Sequence, residues 1–420
     1  MKKIVLCLFI FSYIMAEIKI SGDARFRPRY QTVEYEFDFE DYEGNDFKSE
    51  RSDFYFLYRA RLNLEADISE NWFFKTQLAT ASKSGMSTMG SDGVTEGVVT
   101  SDDLSIGMGN RNSYRPIVNF NQLYFGYKSD KRGVWVGAYP LSHHPGLDIH
   151  FYPNSIVGLP WLISNNGSTV GAAGYEVVSG YKVNWFLSVD KNNINQDSYD
   201  SEWADWDTTF SNHYTLGLST SFNFNDFVIS PYFLKSFGND KIEYIDNDVI
   251  PSSWAAVGEV MPTTFGAHVK VPESLTGGYA ISTSYFMSSY GSTSESWYRE
   301  NSGNGDITEN WNENMYNYEI DHLRLSVQAP YQDGKIKFFY DIASKSFNTM
   351  PTGDDDDEDL DWVETSDISY IWLSYTKTIY KGEKGSVNIT PTFRLTGIDT
   401  GDYYEYSKSR FEVTGEIKFK

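Results

Sequence analysis

The sequence predicts an all-β protein: a closed, up-and-down antiparallel transmembrane β-barrel of about 16 strands, within a range of about 14–18. Three observations predict this fold. Apolar and polar residues alternate with a period of two, short turns alternate with long connections, and no segment beyond residue 16 is apolar enough for a transmembrane helix.

The first 16 residues have the pattern of a secretory signal peptide. Lys2 and Lys3 form a basic start, residues 4–15 form an apolar run too short to span a bilayer comfortably, and Ala16 is a small residue before a cut. The single cysteine, Cys7, lies in this segment. We therefore expect residues 1–16 to be cleaved and residues 17–420 to be one barrel domain without disulfides or thiol chemistry.

The alternation is clearest at the two ends of the mature chain. In residues 17–30, apolar side chains such as Ile18 occupy one face and polar ones such as Arg25 the other, and residues 54–66 and 411–419 repeat the pattern. A soluble β-sandwich also has one apolar face on each strand. The alternation therefore predicts strands without selecting a membrane barrel.

The lengths of the connections between the predicted strands distinguish a membrane barrel from a soluble β-sandwich. Short turns are predicted at 69–71, 128–133, 178–180, 224–226, 272–277, 330–334 and 380–385. Longer segments lie between them, at 31–50, 82–117, 140–168, 191–211, 238–262, 287–317, 346–365 and 397–408. Seven turns make seven hairpins, and one strand at each end brings the predicted number to about 16. Such an alternation is typical of outer-membrane barrels, which close because hydrocarbon cannot satisfy an open sheet edge.

Aromatic residues are abundant, at 17% of the chain, and many fall near the predicted strand ends. Membrane barrels carry aromatic girdles at both lipid–water interfaces. The residues that we assign to the girdles are Trp72, Phe74, Trp135, Tyr139, Tyr181, Trp185, Tyr214 and Phe222.

Composition and motifs disfavour several classes of function. Acidic residues outnumber basic ones by 58 to 35, the opposite of the footprint that nucleic acid requires. The sequence has no Gly-x-Ser-x-Gly, no His-Glu-x-x-His and no phosphate-binding glycine loop. We expect no enzyme activity, no cofactor and no nucleic-acid partner. A TonB-dependent transporter is disfavoured, because the chain is too short for a plug and about 22 strands.

Three segments resemble Gram-negative outer-membrane porins, including the alginate-export type and related 16-stranded porins. They are SGDARFRPRYQ (21–31), YRARLNLEADISENWFFKTQLATAS (58–82) and NQLYFGYK (121–128). The resemblance implies a barrel and a channel, not a particular solute. Where those porins have a Gly-Arg pair this chain has Gly137-Ala138, so no arginine role is carried over there. Phe419 resembles their terminal assembly signal, although Lys420 follows it.

Inward-facing charge is the main candidate for a functional site. If apolar residues face lipid, a set of cations on strands 1, 2, 15 and 16 shares one wall of the lumen across the closure. This predicted pore-lining wall consists of Arg25, Arg27, Arg29, Arg59, Arg61, Arg394, Arg410 and Lys418. One interpretation is a stripe that attracts anionic or hydroxyl-rich solutes. The other is plain pairing with Asp23, Glu65, Glu412 and Glu416.

The predicted third long connection is unusually apolar for a segment in water. Residues 154–168 read NSIVGLPWLISNNGS, which favours either a constriction loop inside the lumen or docking on the barrel rim. The candidate constriction residues are Asp148, Ile156, Leu159 and Trp161. His143, His144 and His150 match no defined zinc spacing, so we expect no metal site.

Acidic residues concentrate in two predicted long connections, at 34–46 and 354–361. Neither run has the glycine and glutamate spacing of an EF-hand loop. Two interpretations of these runs are a solvated acidic entrance to the barrel and a weak binding site for divalent cations.

Taken together, these features predict a bacterial outer-membrane channel, a porin, for passive diffusion of small polar or anionic solutes. A surface adhesin or receptor barrel is the alternative, followed by a barrel-embedded hydrolase. The expected partners are outer-membrane lipids and small polar solutes, and both a homotrimer and a monomer are left open.

Overall fold

The structure, a computed structural model, describes residues 17–40, 46–80, 86–88, 118–141, 168–193, 206–208, 211–239, 242–244, 262–302, 306–351, 362–401 and 404–420. The secondary structure in these ranges consists of β-strands and turns. Within these ranges, no helix is long and apolar enough to cross a membrane.

Sixteen strands form the barrel, and we number them in chain order. They are β1 Glu17–Glu40, β2 Asp46–Asp67, β3 Trp72–Ala79, β4 Asn119–Lys128, β5 Arg132–Tyr139, β6 Thr169–Val178, β7 Tyr181–Asn193, β8 Ser211–Thr220, β9 Phe227–Asn239, β10 Thr263–Lys270, β11 Ala280–Ser302, β12 Asp306–Tyr331, β13 Gly334–Pro351, β14 Trp362–Gly382, β15 Gly385–Asp399 and β16 Tyr404–Phe419. Two fragments extend the sheet, since Ser87–Thr88 pairs with β2 and Phe222–Phe224 continues β8. A separate small ladder joins Trp206–Thr208 to Ile242–Tyr244.

The barrel is closed, as predicted. Each strand pairs antiparallel with the next along the chain, and β16 pairs with β1 from Phe419 opposite Gly22 to Tyr404 opposite Phe37. Closure leaves no open edge at the level of this seam, which is what hydrocarbon requires.

All seven predicted short turns join consecutive strands at one end of the barrel, which we call the turn end. The two-residue turn between β6 and β7 has positive φ at both positions, 52° at Ser179 and 84° at Gly180. Asn225 and Asp226, between the β8 continuation and β9, have φ of 46° and 68°. This backbone twist matches that of paired strands, so these turns set the register of their hairpins.

The predicted bounds of several long connections are wrong. Strand β1 continues to Glu40 and β2 begins at Asp46, and only residues 303–305 separate β11 from β12. Similarly, β13 extends to Pro351, β14 begins at Trp362 and β15 reaches Asp399. The apolar alternation fades in these segments because a strand beyond the membrane needs no lipid-facing side, although backbone pairing still holds it extended.

The outer surface carries a belt of exposed apolar side chains. Ile18 is 64% exposed, Phe411 51%, Leu325 41% and Leu218 39%, as expected for residues that face lipid. Polar residues alternate with them on the inner face, where Arg27 and Arg324 are buried. This pattern identifies the fold as a transmembrane β-barrel.

Two of the residues assigned to the aromatic girdles, Trp135 and Tyr139, face the inside of the barrel instead of the lipid. Trp72 and Tyr181 are exposed on the outside, at 51% and 54%. Trp135 and Tyr139, however, alternate with the exposed Val134 and lie on the inner face, where Tyr139 is fully buried. The girdle assignment was wrong for this pair because strand parity, not nearness to a strand end, decides the face.

Arginine in place of Leu218 should destabilise the barrel strongly. Leu218 lies on the outer face opposite Trp185 and Phe233, and a charge near the bilayer midplane costs about 2–4 kcal/mol. Urea unfolding in lipid vesicles measures the loss, and Glu383→Arg in the exposed turn between β14 and β15 is the matched control. Equal stability of both variants would show that β8 faces the other way.

Candidate functional site: a basic wall in the lumen

The predicted cations lie on four strands that are neighbours across the closure. Arg25 of β1 is opposite Arg59 of β2 and also opposite Glu416 of β16, while Arg394 of β15 is opposite Arg410 of β16. We call the eight residues the basic wall: Arg25, Arg27, Arg29, Arg59, Arg61, Arg394, Arg410 and Lys418. Their side chains alternate with the lipid-facing ones, so the wall faces the lumen.

Three of these arginines share one carboxylate nearer the turn end. Asp23 lies 2.6 Å from an Nη of Arg61, 3.3 Å from an Nη of Arg59 and 3.6 Å from Nε of Arg25. Arg25 has a second partner in Glu416, at 2.6 Å, and Glu416 also pairs with Lys418 at 3.1 Å. Charge-assisted pairs of this length fix side-chain direction as well as adding energy.

A second group of arginines surrounds Glu412. An Nη of Arg29 lies 2.7 Å from one oxygen of Glu412, and Arg394 pairs with the other. Arg27 lies 3.6 Å from the same carboxylate and donates a hydrogen bond of 2.8 Å from Nε to Thr414. Asp23 and Glu412 therefore each hold several guanidinium groups rather than one.

Aromatic rings support the most deeply placed arginines. The guanidinium of Arg394 lies 3.9 Å from the ring centroid of Trp372, and that of Arg29 lies 5.8 Å from the ring of Tyr55. Tyr55 donates a hydrogen bond of 2.9 Å to Gln31, which fixes the ring. Cation–π contacts of this kind are strongest where water is excluded.

Exposure divides seven of the eight side chains of the wall into two classes, and Arg410 is of intermediate exposure. The side chains of Arg29 and Arg394 are 1% exposed, and those of Arg27 and Arg59 are at most 10% exposed, so these four act as framework. The side chains of Arg25 and Arg61 are 27% and 24% exposed, and that of Lys418 is 54% exposed. These three can meet a solute in water directly.

The wall keeps an excess of positive charge despite the pairing. Of the four carboxylates expected to pair with it, Asp23, Glu412 and Glu416 do so, whereas Glu65 pairs with Lys75 at 2.8 Å. Seven of the eight cations thus share three carboxylates in these ion pairs. Fixed charges of one sign on a pore wall attract solutes of the other sign.

A second buried ion pair extends the polar lining to β12 and β13. Arg324 contacts Asp341 through two parallel bonds of 2.6 and 2.8 Å, and its guanidinium lies 4.9 Å from the ring of Phe339. His322, 1% exposed, stacks on Phe286 and lies 3.9 Å from Asp341. Arg324 alternates with the outward Leu323 and Leu325, and the register between β12 and β13 places Asp341 opposite it.

Hydroxyl groups line strands β7 to β11. Thr215 and Ser236 share a hydrogen bond of 2.6 Å, Thr264 donates one of 2.7 Å to Ser288, and His268 and Ser284 are joined at 2.6 Å. This part of the lining is polar without the concentrated charge of the basic wall.

Several predicted functional residues lie outside the described residues. They are the candidate constriction residues Asp148, Ile156, Leu159 and Trp161, the neighbouring His143, His144 and His150, and the acidic run 354–361. Within the ranges that the structure does describe, no group of three or more His, Cys, Asp or Glu residues is placed to hold a metal ion.

No protein-family model and no curated protein matches the chain. Solved structures similar to it include an anion-selective porin from Comamonas acidovorans, at 11% identity and a TM-score of 0.45 over 96% of this chain and 99% of that one. The outer membrane channel DcaP of Acinetobacter baumannii matches at 10% identity and a TM-score of 0.46, over 96% and 97% of the two chains. A loop L8 deletion mutant of OmpT, an outer membrane protein of Vibrio cholerae, matches at 8% and 0.46, over 95% and 99%. Identities and TM-scores this low carry no argument about function.

Proposed function

We propose that this chain is a porin of the bacterial outer membrane, through which small polar or anionic solutes diffuse passively. The observation that carries the proposal is the basic wall. Arg25 and Arg61 present partly exposed guanidinium groups to the lumen, beside a framework of buried arginines. An ion that leaves water needs fixed charges or dipoles in place of its hydration shell, and the wall supplies them to an anion.

The rest of the lining supports the same proposal. The hydroxyl groups of β7 to β11 offer hydrogen-bond partners to uncharged polar solutes, while the outer apolar belt makes outer-membrane lipids the surrounding partner. This mechanism requires no cofactor and no chemical step, so we propose a channel rather than an enzyme. Cross-linking in native membranes distinguishes a homotrimer from a monomer.

Planar-bilayer recording of the refolded protein tests the proposal. We expect stepwise currents in KCl and a reversal potential under a salt gradient that favours chloride over potassium. Liposomes carrying the protein should also swell in small sugars. A protein that gives neither current nor swelling would contradict the channel.

The long strands β11 and β12, of 23 and 26 residues, are the observation that favours the alternative. About 9–11 residues suffice for one crossing, so these strands extend well past the membrane and could present a binding surface for an adhesin or receptor. Cell-surface attachment that is lost when this hairpin is shortened, in a protein without current, would favour that function.

A further inference from the structure

A cavity of about 310 Å³ lies on the inner side of β2 to β7 near the turn end. Its walls include four inward-facing aromatic side chains, Phe73, Tyr124, Trp135 and Tyr175, together with the outward Trp72. It is separate from the basic wall, since none of the eight cations of that wall lines it. Its volume is at the small end of the range for small-molecule sites, about 300–1,000 Å³, which suits a single ring.

The four rings form two crossed pairs. Phe73 and Tyr124 are 6.0 Å apart with their planes at 81°, and Trp135 and Tyr175 are 6.3 Å apart at 54°. Ring edges and faces are thus both presented at the same cavity. A third flat ring can join such an arrangement in edge-to-face or offset geometry.

Two glycines allow these rings to lie close to the barrel wall. A Cβ at position 133 would lie 2.5 Å from the ring of Tyr175, and one at position 126 would lie 2.5 Å from Cβ of Trp135. A side chain at Gly133 or Gly126 would therefore displace the neighbouring aromatic residue. The backbone is shaped to keep Tyr175 and Trp135 where they border the cavity.

The charges around the cavity favour an anion. Three carboxylates line it, and two of them are already paired: Glu65 with Lys75 at 2.8 Å and Asp67 with Lys19 at 3.0 Å, while Glu70 lies in the turn between β2 and β3. The Nζ of Lys182, by contrast, lies 3.9 Å from the centroid of the Tyr175 ring, and Lys128 lines the same cavity. Two ammonium groups are thus available beside the aromatic rings.

We propose that this cavity binds a small aromatic carboxylate, with its ring among Phe73, Tyr124 and Trp135 and its carboxylate at Lys128 and Lys182. A sugar ring fits less well, because it needs acceptors for several hydroxyl groups and two of the three lining carboxylates, Glu65 and Asp67, are engaged in ion pairs. This inference rests on the proposed channel only in one respect, that the lumen is the route by which the solute arrives.

Equilibrium binding to the refolded full chain in detergent tests the site. We expect benzoate to bind roughly three- to tenfold more tightly than cyclohexanecarboxylate, which has the same charge without aromatic character. Benzyl alcohol, which lacks the charge, and glucose 6-phosphate should both bind more weakly than benzoate. Equal or tighter binding of cyclohexanecarboxylate or glucose 6-phosphate would overturn the proposal.

Two variants address the aromatic and the cationic half separately. Trp135→Leu and Lys182→Met should each weaken benzoate binding roughly tenfold, whereas Tyr181→Leu, an exposed residue on the outer face at the same end, should leave it unchanged. Unchanged binding in both site variants contradicts the site. Bilayer current in KCl, recorded on the same preparations, tests the channel independently. If the protein carries current but does not bind benzoate, only the site is overturned. If it binds benzoate in a manner that depends on Trp135 but carries no current, only the channel is overturned.

Discussion

Replacement of Glu412 by glutamine is expected to destabilise the barrel by about 3–5 kcal/mol, the usual cost of leaving buried charges uncompensated. Glu412 is 1% exposed and holds Arg29 and Arg394, whose side chains are equally buried. Without the carboxylate, these guanidinium groups face one another across β1, β15 and β16 with no anion between them. Urea unfolding in lipid vesicles measures the change.

A surface ion pair of similar length provides the control for Glu412. Asp333, in the turn between β12 and β13, lies 2.7 Å from Nζ of Lys377, and both side chains are well exposed. Because water screens exposed pairs, Asp333→Asn should change the unfolding free energy little. Similar losses in the two variants would mean that Glu412 is not the electrostatic centre of the wall.

Replacement of Arg25 and Arg61 together by glutamine should shift the reversal potential towards cations. These two arginines present partly exposed guanidinium groups, and their removal leaves Glu416 with Lys418 and Asp23 with Arg59, so positive charge falls while both carboxylates stay. One unit charge at 4 Å in water is worth about 1 kcal/mol, or roughly fivefold in local ion concentration. The anion-to-cation permeability ratio should therefore fall severalfold.

The control for this variant carries the same change in net charge outside the lumen. Arg132, at the turn end of β5 and on the outward parity of Val134, and Lys384, in the turn between β14 and β15, are both exposed. The double variant Arg132→Gln with Lys384→Gln should leave the permeability ratio close to that of the unaltered protein. An equal shift in both double variants would attribute selectivity to overall charge rather than to the wall.

The strand positions could be predicted because their signals are local. A lipid-facing residue such as Ile18 must alternate with an inward one, and Ser179-Gly180 identifies a tight turn without reference to any partner strand. The same signal fails beyond the membrane, where β11 continues to Ser302 without a lipid-facing side to impose alternation.

The site was predicted less completely because it depends on distances between strands. Alternation placed Arg25, Arg59 and Arg61 inward, but that all three converge on Asp23 follows only from the register of β1 against β2. Trp135 was misassigned to a girdle, although its alternation with the outward Val134 and Val136 carried the correct signal.

The unequal lengths of the strands have a consequence for the part of the protein in water. Strand β10 pairs with β11 only as far as Ser289, whereas β11 continues to Ser302, and β3 is likewise far shorter than β2. The described strands β11 to β16, β1 and β2 therefore extend further from the turn end than β3 to β10, as a screen of paired strands. The sequence 290–302 is rich in Ser and Glu, which suits a strand in water. The screen can therefore lengthen or shorten by whole residue pairs while the strand register of the barrel below it stays the same.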